Sequence, residues 1–497
     1  MASGWKSAKG RALGVAAMLL AGVAATARAD TVPGGLVLDR VAVVDVRTGQ
    51  LDRDRAVVIA DGRIERIAAA GSVKPSASQQ RIDGRGRYVV PGFNDMHAHN
   101  LNVDSPATSL PVMLAYGVTG FRQMAGAPPL LAARAAGRPL LPPDSPALLA
   151  MPGAILTGPA YADPAVVTAE IARQKAQGAD FIKVVELPPP AFEAAADAAR
   201  AAGLPFVGHL PLSVNERDAA RRGMKAIEHL GPGISLLLNC SRDEAAIRAA
   251  LAAAPARGGA ADLAGGPDRV RRTLVNPMLL TLPQGFAVMR RVLATYDEAK
   301  CRAFAGELAA SGTWMVPTLT RLEAMSLGNT PALRGNPDLS YVPAASRALW
   351  ADVGAEFDRR LAPDQRQALA DLFAAQLRLA GLFASAGVKM LAGTDFGGGW
   401  IAPGSSLHRE FDLLASAGVK PLRVLQMATL DASVFLGREA SMGTVEAGRN
   451  ADLVLLDGDP TRSVANLHRV AGVVRAGRYL DRAALDELRT RAVAALR

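Results

Sequence analysis

The sequence predicts an α/β protein: a parallel (β/α)8 TIM barrel carrying a small composite β-sandwich built from N- and C-terminal segments. Three observations point there. Short apolar runs alternate with stretches of helical periodicity through the middle of the chain. Two β-rich pieces of similar style lie near opposite ends. Half of the 497 residues are hydrophobic and 21% are charged, which is enough apolar material for a large core.

Taken in order, residues 1–29 read as an export signal: Lys6, Lys9 and Arg11 precede the apolar run at 13–25, and Ala27 and Ala29 supply the small residues of a cleavage site. Cleavage after Ala29 predicts a periplasmic or secreted protein. A membrane anchor is the alternative, but the apolar run is short for a span, so no stable membrane span is expected after processing. Residues 30–90 read as the first part of the sandwich, with strands in LVLDRVAVVDV and AVVIADGRIERIAA and a hairpin signal at Asp61-Gly62. Residues 436–497 supply the second part, in ADLVLLDGD and VAGVVRAGRYL, followed by a terminal helix.

Between them, residues 91–435 carry the barrel. Eight strands are expected, in YVVPGFNDMH, GVTGFRQM, SPALLAM, DFIKVVEL, LPFVGHL, KAIEHL, TWMVPTL and VKMLAGTD. The connections after the sixth and seventh, 231–311 and 318–386, are oversized, and both should overhang the face where barrel enzymes do their chemistry. The first contains an Ala/Gly-rich stretch, 254–269, expected to be mobile.

Net charge falls from +10 to +6 once Lys6, Lys9, Arg11 and Arg28 are removed with the signal. The remaining charge is scattered, and no basic run interleaved with aromatics suggests nucleic acid. A small-molecule substrate is the expected partner, and homo-oligomerisation is left open. Cys240 and Cys301 are the only cysteines; in an exported protein they form either one disulfide or two buried thiols.

Four of the six histidines fall at expected strand ends: His97 and His99 after the first, His209 after the fifth and His229 after the sixth. Asp395 ends the eighth. A His-x-His pair on extended chain points both imidazoles to one side, and two imidazoles with a carboxylate suit zinc or a similar divalent ion. Lys183 interrupts the apolar run FIKVVEL, where an unpaired ammonium is costly. Burial lowers a lysine's pKa and exposes a neutral amine, which carbon dioxide converts into an anionic carbamate. The alternative is an ion pair with Asp180 or Glu186.

PGFNDMHAH, GADFIKVVE, PFVGHLP, AIEHLGPG and LAGTDFG, in that order, together with GTVEAGRNADLVLLDGDP near the end, resemble the metal-dependent amidohydrolase superfamily. The similarity is greatest to the branch of imidazolonepropionases and bacterial Xaa-Pro dipeptidases (prolidases), and spans about residues 36–480. It implies a hydrolase cleaving the amide C–N bond of a small substrate, such as a dipeptide or an N-acyl amino acid. It further implies that His97, His99 and Asp395 hold one divalent metal and His209 and His229 a second, with Lys183 as its carbamate and a hydroxide bridging them. Asp395 would accept the proton of the attacking water and pass it to the leaving group.

Substrate contacts are less defined. Arg122 and Tyr341 are candidate receivers of a substrate carboxylate, with local pairing of Arg122 and lid packing of Tyr341 as the alternatives. His408 is assigned a supporting or structural role. Two other functions stay open: a mononuclear cyclic amidohydrolase, deaminase or lactonase in which Lys183 is structural, and a non-catalytic periplasmic binding protein.

Overall fold

The computed structural model describes residues 35–497 apart from 75–77, 104, 232 and 254–265, so the expected export signal and most of the Ala/Gly-rich stretch lie outside the described residues. Five strands open the described chain: β1 (Leu36–Val44), β2 (Leu51–Ala60), β3 (Arg63–Ala69), β4 (Gln80–Asp83) and β5 (Tyr88–Pro91). Asp61 and Gly62 make the two-residue β2–β3 turn with φ of +50° and +73°, the left-handed pair such a hairpin needs.

Seven strands follow in the middle: β6 (Phe93–Ala98), β7 (Val118–Gln123), β8 (Ala147–Ala150), β9 (Ile182–Val184), β10 (Phe206–Gly208), β11 (Met224–Glu228) and β12 (Trp314–Val316). β13 (Leu453–Leu456), β14 (Val470–Arg475) and β15 (Arg478–Asp481) close the count. The two ends of the described chain form one mixed eight-stranded sheet, ordered β15-β14-β13-β5-β1-β2-β3 with β4 beside β1. Its joint is β5, parallel to β1 and antiparallel to β13. Alternate apolar residues give this sheet its own core, including Leu36, Leu38, Val57, Ile59, Leu453, Leu455 and Val474. The start of β3 also bonds to the chain before β13, Ile64 N–H to the Arg449 carbonyl at 2.9 Å, so the sheet curls over that core.

The middle strands are parallel, in the orders β6-β7-β8 and β9-β10-β11-β12. Isolated pairings join them: Leu156 with Val184 links the chain after β8 to β9, and Met390 with Met315 lies beyond β12. Strand side chains divide by period two. Ile182, Val184, Phe206, Ile227 and Met315 pack toward the helices in the largest cluster. Phe181, Val207, Ala226, Trp314, Val316 and Leu391 face one another in a separate cluster. That inner layer is what parallel strands arranged in a ring would enclose.

Two expected strands differ. The first divides at Gly92 into β5 and β6, which belong to different sheets. Pro91 has no N–H to continue a ladder, and a Cβ at Gly92 would lie 1.9 Å from Thr119 Oγ1, so only glycine permits this approach. The eighth segment, 388–396, is not a regular strand. Its backbone bonds to β12 on one side, through Leu391 N–H to Met315, and to β6 on the other, through Met96 N–H to Ala392 and His99 N–H to Phe396. A Cβ at Gly393 would come 2.9 Å from the Cβ of His97, which shows how tightly this segment lies on β6.

The described parts of the two oversized connections are largely helical. The first holds helices Ser235–Leu238, Glu244–Ala253, Gly266–Val275, Pro283–Ala294 and Glu298–Ser311. Cys240 and Cys301 form a disulfide across its base, resolving the choice the sequence left open. The second includes Leu319–Leu327, Ala344–Arg360 and Pro363–Ser385. The last is long and apolar enough to cross a membrane by length and composition, yet half of its most apolar window is buried inside the protein.

Candidate metal centre

Six residues singled out from strand ends converge. His97 Nε2 and His99 Nε2 lie 3.1 Å and 3.2 Å from Asp395 Oδ1. Their ligand atoms and a carboxylate oxygen of Asp395 fall within 4.8 Å of one another, a compact group of donors able to hold a metal ion. The His229 ring centroid lies 4.5 Å from that of His97 and 4.7 Å from that of His209. Lys183, 1% exposed, is close enough for its charge to act on His99, His209, His229 and Glu228.

Local backbone geometry aims these groups. His229 and Asp395 both have left-handed φ, +60° and +58°. Thr318, just beyond β12, has φ +46°, an outlier for a β-branched residue. Such strain persists only where surrounding structure enforces it, and it gathers at functional sites. Here it sets Thr318 Oγ1 2.7 Å from His229 Nδ1. Behind His97, Nδ1 lies 2.7 Å from Glu228 Oε2, whose other oxygen accepts from Arg122 Nη2 at 2.8 Å. A metal-binding histidine is characteristically oriented through its other nitrogen by such a carboxylate or hydroxyl.

The electrostatics follow from burial. Burial pushes the Lys183 ammonium down to about 8, partly opposed by the charges of Glu228 and Asp395. Its Nζ is buried without a hydrogen-bond partner. Burial also lowers His99, and it holds His209 and His229 well below the ordinary histidine value. Desolvation would raise the Asp395 carboxyl, but His229, His97 and His99 outweigh it and hold the group well below the usual range. For Glu228 burial is likewise outweighed, chiefly by Arg122 and His97, leaving it at about 2. The donor set thus combines four imidazoles, of which burial holds His99, His209 and His229 toward the neutral form, with a carboxylate held toward its ionised form and a buried lysine nitrogen without a partner, which fits divalent metal.

The remaining candidates fall elsewhere. Lys183 does not pair with Asp180, which holds Arg134 at 2.6 Å, nor with the exposed Glu186. Arg122 is fully buried, bonded to Glu228 and to the Met96 carbonyl at 2.6 Å, so the local pairing is the one observed. Tyr341 is not brought to the cluster; it sits beside Tyr116, near Asp338 and Arg489. His408 Nε2–H donates to the Tyr116 carbonyl at 2.8 Å and its ring packs on Phe93 at the start of β6, a structural placement. His468 meets Asp412 at 3.0 Å.

Sequence reasoning missed Glu228, Thr318 and Arg321. Arg321 Nε lies 3.2 Å from Asp395 Oδ2. The available signals were an acid directly before His229 inside an apolar run, and two polar residues just past the seventh strand, whose end had been assigned no chemistry.

Comparison with known proteins gives the same class. The amidohydrolase family profile matches residues 298–480. A bottromycin amidohydrolase structure is 26% identical and covers 93% of this chain and 90% of its own, with a TM-score of 0.67. A Xaa-Pro dipeptidase with bound methionine in the active site is 17% identical over 90% of this chain and 99% of its own, TM-score 0.58, a likeness of fold alone. An imidazolonepropionase of Mycolicibacterium smegmatis is 49% identical over 47 residues, 10% of this chain and about a tenth (11%) of that relative's length. These neighbours imply a TIM-barrel-like α/β fold. The family match and these hydrolase neighbours support an enzyme that hydrolyses carbon–nitrogen bonds. Residues 298–480 match the amidohydrolase family, and the fold of the chain is similar to that of amidohydrolases.

Proposed function

We propose that this protein is an exported, metal-dependent hydrolase that cleaves the amide bond of a small substrate, a dipeptide or an N-acyl amino acid. The observation that carries the reading is the convergence of four histidines and Asp395 around a buried amine without a partner. In this reading residues 91–435 close into a (β/α)8 barrel, and 30–90 with 436–497 make the composite sandwich.

His97, His99 and Asp395 would hold one divalent ion, zinc by donor type, and His209 and His229 a second, with Lys183 as carbamate between them. Ions bound there would polarise the scissile carbonyl and acidify a water. Glu228 and Thr318 fix the imidazoles of His97 and His229 against rotation. Asp395, held toward its ionised form, receives the proton from water and returns it to the departing nitrogen, which would otherwise leave as an unstable amide anion. The disulfide agrees with an oxidising compartment and so with export.

Metal analysis of purified protein, a mass search for carbon dioxide on Lys183 and a screen of dipeptides and N-acyl amino acids test the reading. Asp395→Asn should keep most of the metal, because an oxygen ligand remains, while kcat falls by about 100-fold or more. Near-normal turnover in that variant would remove Asp395 from the role. About one tight ion per chain with an unmodified Lys183 would favour the mononuclear alternative.

A further inference from the structure

Arg321 contacts three parts of the protein at once. It stands in helix Leu319–Leu327, directly after β12, and is 5% exposed. Nε faces Asp395 Oδ2 at 3.2 Å, Nη1 donates to the Val275 carbonyl at 2.9 Å and Nη2 to the Leu274 carbonyl at 2.6 Å. Those carbonyls end helix Gly266–Val275, inside the segment whose base the disulfide closes. Asn276 Nδ2 adds a bond from the same place to the Met325 carbonyl, at 3.1 Å. The chain just beyond the eighth segment also meets this group. A Cβ at Gly398 would lie 2.8 Å from the guanidinium, and one at Gly399 2.7 Å from Val275 Cγ1.

A planar guanidinium is suited to this geometry: its donors diverge in a rigid fork, so one side chain can hold two carbonyls and a carboxylate without turning. Burial of its charge is tolerable only because all three acceptors are in place. If the 274–276 turn shifts, the fork loses two of its anchors and the Asp395 carboxylate loses its fixed partner.

We propose that Arg321 is a positioning residue that couples the seating of the end of helix Gly266–Val275 to the orientation of Asp395, so that the carboxylate is aimed for proton transfer only when that helix end is in place. The proposal rests on the reading of Asp395 given above.

The test uses the full-length, metal-loaded enzyme with Arg321→Ala, Arg321→Lys, Gly398→Ala and, in parallel, Asp395→Asn. Arg321→Ala is expected to lower kcat about 10- to 100-fold with KM little changed and metal content kept, since misplacement of a reacting group by about 1 Å has costs of that size. Added guanidinium chloride at millimolar concentration should restore part of the loss. Arg321→Lys should recover less, because one ammonium cannot span the three acceptors. Gly398→Ala, which displaces the guanidinium without removing it, should show the same loss in kcat. Hydrogen exchange, read independently of turnover, should rise together at 271–277 and 394–400 in Arg321→Ala.

Unchanged kcat in Arg321→Ala overturns the proposal, as does a loss that guanidinium does not restore and that leaves exchange at 394–400 as in the wild type. If Asp395→Asn stays active, the reading of Asp395 itself fails. If only the Arg321 and Gly398 variants stay active, that reading stands and the coupling is what fails.

Discussion

A single buried carboxylate shows how far individual side chains depart from their solution behaviour. Glu410 is fully buried; Oε2 accepts from the Thr320 N–H at 2.8 Å and Oε1 has no partner. Burial pushes its pKa up to about 8. A group whose folded pKa is raised stabilises the fold below its unfolded value, here the ordinary 4.5, and that contribution is lost as pH rises through about 8. Glu410→Gln keeps the shape and cannot ionise. Between pH 5 and pH 8 the wild type should therefore lose stability relative to the variant, by on the order of a few kcal/mol. Urea midpoints at the two pH values measure this, and parallel pH dependences would show that Glu410 does not carry the effect. Residues were also unequally legible in the sequence. His97, His99, Lys183, His209, His229 and Asp395 stood out because metal-capable types at strand ends are few. Glu228, Thr318 and Arg321 matter through partners 131, 89 and 74 positions away, a relation that no local pattern contains.

At the scale of elements, the parallel strands and the Asp61-Gly62 hairpin were readable from periodicity and turn chemistry. The division of YVVPGFNDMH at Gly92 and the irregular eighth segment were not, because close approaches to Thr119 and His97 decide both. The segment after β11 adds a covalent constraint. Cys240 and Cys301 are 61 residues apart, and closing so long a loop removes much of the unfolded chain's freedom. Replacing both by Ala should cost about 2–4 kcal/mol; an unchanged stability would show instead that the ion pairs of Glu244 with Lys300 and Arg248 hold the base. Thermal unfolding with and without reductant distinguishes these outcomes. In the wild type reductant should lower the midpoint; in the double variant it should have no effect.

For the whole molecule, the sequence conveyed the general architecture because two β-rich pieces flank an alternating middle. It could not convey the pairing that unites them, since β5 meets β1 on one side and β13 on the other. Removing residues 437–497 should therefore damage more than the tail: Val89 and Val90 would lose Leu455 and Val454, and the core around Leu36, Leu38 and Val57 would lose six of its fourteen buried residues. Such a truncation should be insoluble or protease-sensitive throughout, as limited proteolysis would report. A compact, protease-resistant 91–436 fragment would show instead that the middle of the chain stands alone.

That shared sheet also dictates a schedule. A chain leaves the ribosome from its N-terminus, so β1 to β5 emerge while their partner Leu453–Leu456 is still more than 350 residues from being made. Until then the free edge of Tyr88–Pro91 has nothing of its own to pair with, and such contacts are slow to form even once both sides exist. The protein therefore commits to its final shape only at the close of synthesis, which gives any machinery that handles unfolded chains a long interval in which to act.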